Sequence, residues 1–322
     1  MATTKYPPNL VQRAWALDLW KEVRNEIYFK KFMSEGSDSV ITQKTDLKTK
    51  AGNSIVIPLL MKLKGSGTAG DSTLEGNEEA LTYFDMAVSV AQKRHAVRSE
   101  GAQEEQKSQL NFRTNAKSAL KIWMSEMIDE SIFAALCSNP STNRLLLPTG
   151  CSAISDITAS NKLTPTMIRL AKLRAKMASP KIRPIKVDGK YHYVMLVNPY
   201  AADDLKQDST WLQAQREAGI RGKENPIFSG ALGVYDGVIL HDHESVPLAA
   251  EGSSGAQVSY NVLLGAQAGA YAIAKEPFWK EKKFDYDNQA GVATGLIYGV
   301  RKSVFKGEDF GVITCPTSAA GR

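Results

Sequence analysis

Glycines, carboxylates and two histidines are the residues of this 322-residue chain whose types and spacing could do chemistry. Gly65, Gly67 and Gly70 spell GxGxxG. A dinucleotide site needs that pattern between a strand and an amphipathic helix, so that the helix N-terminus meets the pyrophosphate. Here Asp71-Ser72-Thr73-Leu74-Glu75-Gly76-Asn77 follows, with no helical stripe. The same stretch nearly forms a phosphate loop, Gly65-x4-Gly70-Asp71-Ser72, but Asp71 stands where a lysine must reach the phosphates. Glu75, Glu78 and Glu79 add to the repulsion, and they lack the alternating spacing of a calcium loop. A solvated acidic tip is the better reading.

His241-Asp242-His243-Glu244 could offer two metal ligands, yet no third histidine lies nearby and HExxH is absent, so a polar turn before Pro247 is expected. Cys137, Cys151 and Cys315 form no CxxC pair and read as reduced thiols. Phe278-Trp279-Lys280-Glu281-Lys282-Lys283-Phe284 interleaves basic and aromatic residues, but Glu281 and its shortness weaken a nucleic-acid reading. No GxSxG motif and no recognisable Cys/His arrangement is present. No catalytic, cofactor-binding or metal-binding residue is therefore expected, nor any cofactor, and the chain does not read as an enzyme.

The elements that carry these residues say more. Residues Gly52–Arg98 read as one long β-hairpin without a core of its own: Ser54–Leu63 ascends, Gly65–Asp71 forms the tip, and Leu81–Arg98 descends. Phe84, Met86, Val88 and Val90 alternate with Asp85, Ala87, Ser89 and Ala91. A lone two-stranded ribbon is marginal in water, so its apolar partner is expected to be another subunit. The tip is acidic (Asp71, Glu75, Glu78, Glu79) and the base is basic (Lys93, Arg94, Arg98), which suggests that one subunit's tip meets cations of its neighbour.

Around the hairpin, residues 10–33 read as a helix apolar on two sides and ended by Gly36. Gln103–Cys137 reads as one rod of about 50 Å, striped by Ala116, Leu120, Met124, Ile128 and Ile132. Thr164-Pro165 opens a helix to about Ala178, and Asp208 or Ser209 caps another through Ala218. Asp188-Gly189 turns a hairpin over Arg183–Val197, and Val234–His241 is a strand entered by Asp236-Gly237. Val258–Ala274 turns from apolar to Ala/Gly-rich, and Gly295–Val304 and Phe310–Cys315 read as closing strands. Strands and helices mix without a βαβ rhythm, so the fold class is α+β. The formal charge of +6 is spread along the chain, permitting but not requiring a polyanion. The N-terminus lacks an apolar signal region and no run of 18 apolar residues exists, so no membrane is expected.

The order of these elements resembles the major capsid proteins of tailed phages with the Hong Kong 97-type fold, and more narrowly the N-four-like family. The resemblance rests on Leu74–Glu79, Lys93–Arg98, the helix around Leu120–Asp129, Val187–Tyr191, Asn225–Gly233 and Asp285-Tyr286, in that order. It implies an N-terminal arm over 1–49, an extended loop over 50–98 and a spine helix over 99–137. It further implies a mainly axial domain over 138–275 and a return to the peripheral domain over 276–322. Hexamers and pentamers would build an icosahedral shell around double-stranded DNA held by non-specific contact. A separate scaffold and a portal are the further partners implied, with a decoration protein left open, and the product is a virion assembled in the host cytoplasm. A cellular compartment shell of the same fold and a nucleotide-binding enzyme using Gly65–Gly70 are the alternatives. Some members of the fold crosslink a Lys and an Asn of different subunits; Lys62, Lys64 and Asn77 lie in the loop, and no pairing among them is predicted.

Overall fold

The computed structural model describes residues 19, 22, 23, 26–48, 52–61, 63, 65–107, 111–187, 189–217 and 231–319. Residues 10–18 of the expected first helix, Lys62, Lys64 and most of Asn225–Gly233 lie outside them. Leu19 and Val23 are helical and fully buried. The helix does not run to Gly36, because its helical geometry stops at Glu26 and a 3-10 turn spans Tyr28–Phe32. The cause is Asp129, whose carboxylate accepts the backbone N–H groups of Tyr28 (2.8 Å) and Phe29 (3.2 Å) and so starts a new turn.

The next strands are β1 (Met33–Ser34), β2 (Ile41–Lys44), β3 (Ser54–Leu60), β4 (Tyr83–Ser89) and β5 (Ala91–Arg98). The expected single hairpin is two structures. Only β3 and β4 pair, from Ser54↔Ser89 to Leu60↔Tyr83. β5 leaves the ribbon at Val90 and joins another sheet. Gly299 permits this crossing, since a Cβ there would collide with the Ser89 carbonyl oxygen. Nor is the ribbon coreless at its base: Ile55, Met86 and Val88 are buried against Ala270 and Ala272.

Two helices replace the single rod, α1 (Ala102–Lys107) and α2 (Phe112–Cys137). Asn111 separates them by accepting the Thr114 N–H in its side chain, an N-cap that starts α2 afresh. Its 26 residues span about 39 Å. Ala116, Leu120, Met124, Ile128, Ile132 and Leu136 bury the expected stripe. Then α3 (Pro165–Met177) opens on the Thr164 cap as expected. β6 (Ile185–Val187) and β7 (Lys190–Val197) form the expected hairpin, with Gly189 at φ +78°. α4 (Pro199–Lys206) was not foreseen; α5 (Ser209–Glu217) is capped by Asp208, which accepts the N–H groups of Thr210 and Trp211.

Asp236 and Gly237, at φ +46° and +75°, form a two-residue turn between β8 (Gly233–Tyr235) and β9 (Val238–Asp242). They divide what reads in sequence as one strand. β10 (Leu248–Ala249) and β11 (Val258–Leu264) precede the longest ribbon, β12 (Gly269–Phe284) against β13 (Gln289–Lys302). A short finger, β14 (Val304–Phe305) and β15 (Glu308–Asp309), and a last strand, β16 (Val312–Ser318), close the chain.

A seven-stranded sheet runs β10-β11-β7-β9-β8, with β16 beside β11 and β6 beside β7. Tyr193, Met195, Val238, Leu240, Leu263 and Ile313 pack against α3, α4 and Trp211 of α5. The alternate residues Val194, Leu196, Val262, Leu264 and Val312 pack into the core around α2, so strand alternation feeds two cores. A five-stranded sheet runs β1-β2-β12-β13-β5. The chain enters it at Gly269 and leaves it after Lys302, and β16 lies in the seven-stranded sheet. The sheets therefore exchange near 265 and 303, and the expected boundary at 276 falls inside one strand.

Candidate inter-subunit surfaces

The β3–β4 ribbon has a covered and an open side. Ile55, Ile57, Met86 and Val88 face the core at its base. On the opposite side Val56, Leu60 and Tyr83 remain 57%, 55% and 61% exposed. Leu63, Leu74 and Leu81 extend this apolar exposure into the tip. Six large apolar side chains stand open to water on this one projection, a contiguous exposure rather than scattered single residues.

Asp71, Glu75, Glu78 and Glu79 all lie exposed in the tip loop between β3 and β4. Glu78 accepts the Gly76 N–H (2.8 Å) and Glu79 accepts the Gly65 N–H (2.7 Å), so these two also hold the loop's shape. The Asn77 N–H bonds to the Leu74 carbonyl across Gly76, at φ +86°, a turn position that suits glycine. Among the described residues no helix follows Gly70 before β4, so nothing there could aim a helix N-terminus at a phosphate.

The basic residues lie elsewhere, on β5, at one edge of the five-stranded sheet. Register shows that they do not share a face. Arg94, Gly295 and Phe278 form one cross-strand row; Ala96, Ala293 and Lys280 form the next; Arg98, Gly291 and Lys282 form a third. This face carries four cations, with the Arg98 guanidinium 4.3 Å and the Lys282 ammonium 4.9 Å from the Phe284 ring centre. Gly295 is required where Arg94 and Phe278 lie across it, since a Cβ would sit 2.7 Å from the Arg94 stem. Lys93 falls on the opposite face with His95, whose ring is 4.9 Å from Trp123 of α2. Trp279 and Glu281 also face that side, where Arg113 of α2 pairs with Glu281 at 2.7 Å.

The structure thus joins Arg94 and Arg98 to Lys280 and Lys282, which the sequence reading had kept in a separate run. The signal was present: Lys280 and Lys282 are two apart, hence on one side of a strand, and Glu281 between them points away. The acidic tip and this basic face belong to different elements of the chain.

The expected polar turn before Pro247 forms, with the His243 carbonyl accepting the Val246 N–H at 3.2 Å and its Nδ1 the Ser245 N–H at 3.1 Å, but neither histidine is exposed. His241 is fully buried in β9, and the His243 ring lies 4.4 Å from Tyr28 and 4.6 Å from Phe133. Burial lowers the pKa of His243. Among the described residues no group of His, Cys, Asp and Glu is arranged to hold a metal ion.

An exposed apolar projection, a charged tip and a separate basic face describe a building block. A family model described as phage capsid protein matches residues 4–320. The chain is 32% identical to the major capsid protein of Pseudomonas phage KPP25, over 97% of this chain and 96% of that protein. This chain belongs to the phage capsid protein family. The capsid protein is a structural component of a phage virion shell. Its fold is of the Hong Kong 97 type. The capsid of Ralstonia phage GP4 superposes with a TM-score of 0.83 at 26% identity, covering 91% of each chain. The cyanophage Pam1 capsid superposes at 0.80 with 24% identity, covering 100% of this chain and 95% of that one.

Proposed function

We propose that the capsid protein assembles into hexamers and pentamers of an icosahedral shell around packaged double-stranded DNA, and that each subunit's hairpin lies across its neighbour. The observation that carries this reading is the open side of the ribbon, where Val56, Leu60 and Tyr83 are more than half exposed while the other side is packed at its base. The tip carboxylates Asp71 and Glu75 meet the basic face of the adjacent subunit, Arg94, Arg98, Lys280 and Lys282. Lys93 stands apart from that contact. Charge pairing of this kind fixes register and partner choice more than affinity. In this reading α2 and the five-stranded sheet form the peripheral part of the subunit, and the seven-stranded sheet with α3–α5 forms the axial part. Assembly takes place in the host cytoplasm, with a separate scaffold and a portal as further partners.

A charge-exchange experiment tests the contact. Glu75→Lys or Asp71→Lys should impair shell formation, as should Arg94→Glu with Lys280→Glu. The combined exchange should recover shells seen by electron microscopy. Normal shells from each single set, or no recovery in the combination, would remove the proposed pairing. Glu78 and Glu79 are left unchanged because their reversal would also break the loop's own hydrogen bonds.

A further inference from the structure

We infer that the finger β14–β15 is a prop that sets the angle of the long hairpin, with Phe305 as the positioning residue. The finger's two strands turn on Lys306 and Gly307, at φ +53° and +76°, the tight two-residue geometry that keeps a hairpin short. Its root is unusually well anchored. The Lys302 ammonium, 6% exposed, pairs with the Asp309 carboxylate at 2.9 Å and donates to the Ser138 (2.7 Å) and Asn139 (3.0 Å) carbonyls. Asp309 also accepts the Ser141 N–H at 3.1 Å, and its own N–H donates to the Ser141 hydroxyl at 3.1 Å. Those partners follow directly after α2, so the finger is tied to the C-terminal end of the longest helix.

The other end of the finger meets the hairpin. Phe305 stands edge-on to Phe310, with ring centres 5.3 Å apart, and packs on the cluster Ile55, Met86, Val88, Ala270 and Ala272 that seats the ribbon. Beyond this seat the hairpin spans a cleft of about 430 Å³, with Leu59, Met61 and Phe84 on one wall and Phe305, Phe310 and Pro180 on the other. Room on that side lets the ribbon tilt about its seat on Ala270 and Ala272, and Phe305 is the finger's contact with it. A rigid anchor, an aromatic contact at the end of the finger and an adjacent void are the parts of a stop. The consequence for assembly rests on the proposed hairpin contact, because the tilt decides where the tip reaches on a neighbour.

Spin labels at Ser72→Cys and Thr166→Cys, in a Cys151→Ser background, measure the tip-to-body distance in the unassembled full chain. A single narrow distribution is expected, broadening at least twofold in Phe305→Ala and narrowing again in Phe305→Leu, with the ribbon's hydrogen-exchange protection retained in both. Shell yield should fall in Phe305→Ala and recover in Phe305→Leu. An identical distance distribution in Phe305→Ala would overturn the prop, as would a broadening accompanied by an equal loss of ordered ribbon in hydrogen exchange. The distance readout needs no assembly. A broadened distribution with failed charge exchange at Glu75 would keep the prop and remove the lattice contact, and the reverse pattern would do the opposite.

Discussion

Replacing Val56, Leu60 and Tyr83 by threonine should separate assembly from folding. All three lie on the open side of the ribbon and keep more than half of their surface. Threonine retains a strand-compatible side chain, so the isolated subunit should change by no more than about 0.5 kcal/mol per site. Burying a whole side chain of this size contributes about 1.5–3 kcal/mol. With roughly half of each still to be covered, the contact gains about 1 kcal/mol per residue and about 3 kcal/mol in all. At 1.4 kcal/mol per factor of ten, pairwise association should weaken about 100-fold. Light scattering against protein concentration gives the threshold for shell formation, and urea unfolding of the dilute subunit gives its stability. The triple variant should raise the threshold by about that factor while shifting the urea midpoint only slightly. A threshold equal to the parent's would show that this side of the ribbon stays wet in the shell, and the argument from exposed apolar surface would be wrong.

Burial raises the Asp129 carboxyl from its ordinary 3.8 to about 6, against the lowering effect of its two backbone N–H partners. The folded chain therefore binds this proton more tightly than the unfolded one, and the residue's contribution improves as pH falls through 6. Relative to Asp129→Asn, the parent should gain about 1 kcal/mol between pH 7 and pH 5, read from urea curves at both values; a constant difference would contradict the raised carboxyl. Asp309→Ala should cost about 3–5 kcal/mol by leaving Lys302 buried without its carboxylate, and a thermal midpoint equal to the parent's would show that the pair contributes little. Cys137 and Cys315 are buried with their thiols pushed up to about 12, while Cys151 is partly open. Thiol titration of the folded subunit should find one reactive group and the urea-unfolded chain three, and three in the folded state would contradict the packing of α2 and β16.

Much of this molecule is legible in its sequence wherever the cause is local. The spine stripe from Ala116 to Ile132, the Thr164 cap and the alternation of Phe84, Met86 and Val88 follow from helix and strand periodicity acting on nearby residues. The order of elements also carried the family resemblance. What needed tertiary structure was everything decided by a distant partner. The first helix stops at Glu26 because a carboxylate a hundred residues away takes the next N–H groups. The descending arm divides at Val90 because Gly299 lets its backbone cross another strand. The β12–β13 ribbon is obscured in sequence by Gly291, Gly295 and Gly299, whose missing side chains make room for Phe284, for Arg94 and Phe278, and for the Ser89 backbone. The charges show the same division: sequence alone determined that the tip is acidic and the region around β5 basic. Only strand register decided that Arg94 and Arg98 share a face with Lys280 and Lys282 while Lys93 turns toward α2, because the face a side chain takes depends on which strand lies beside it.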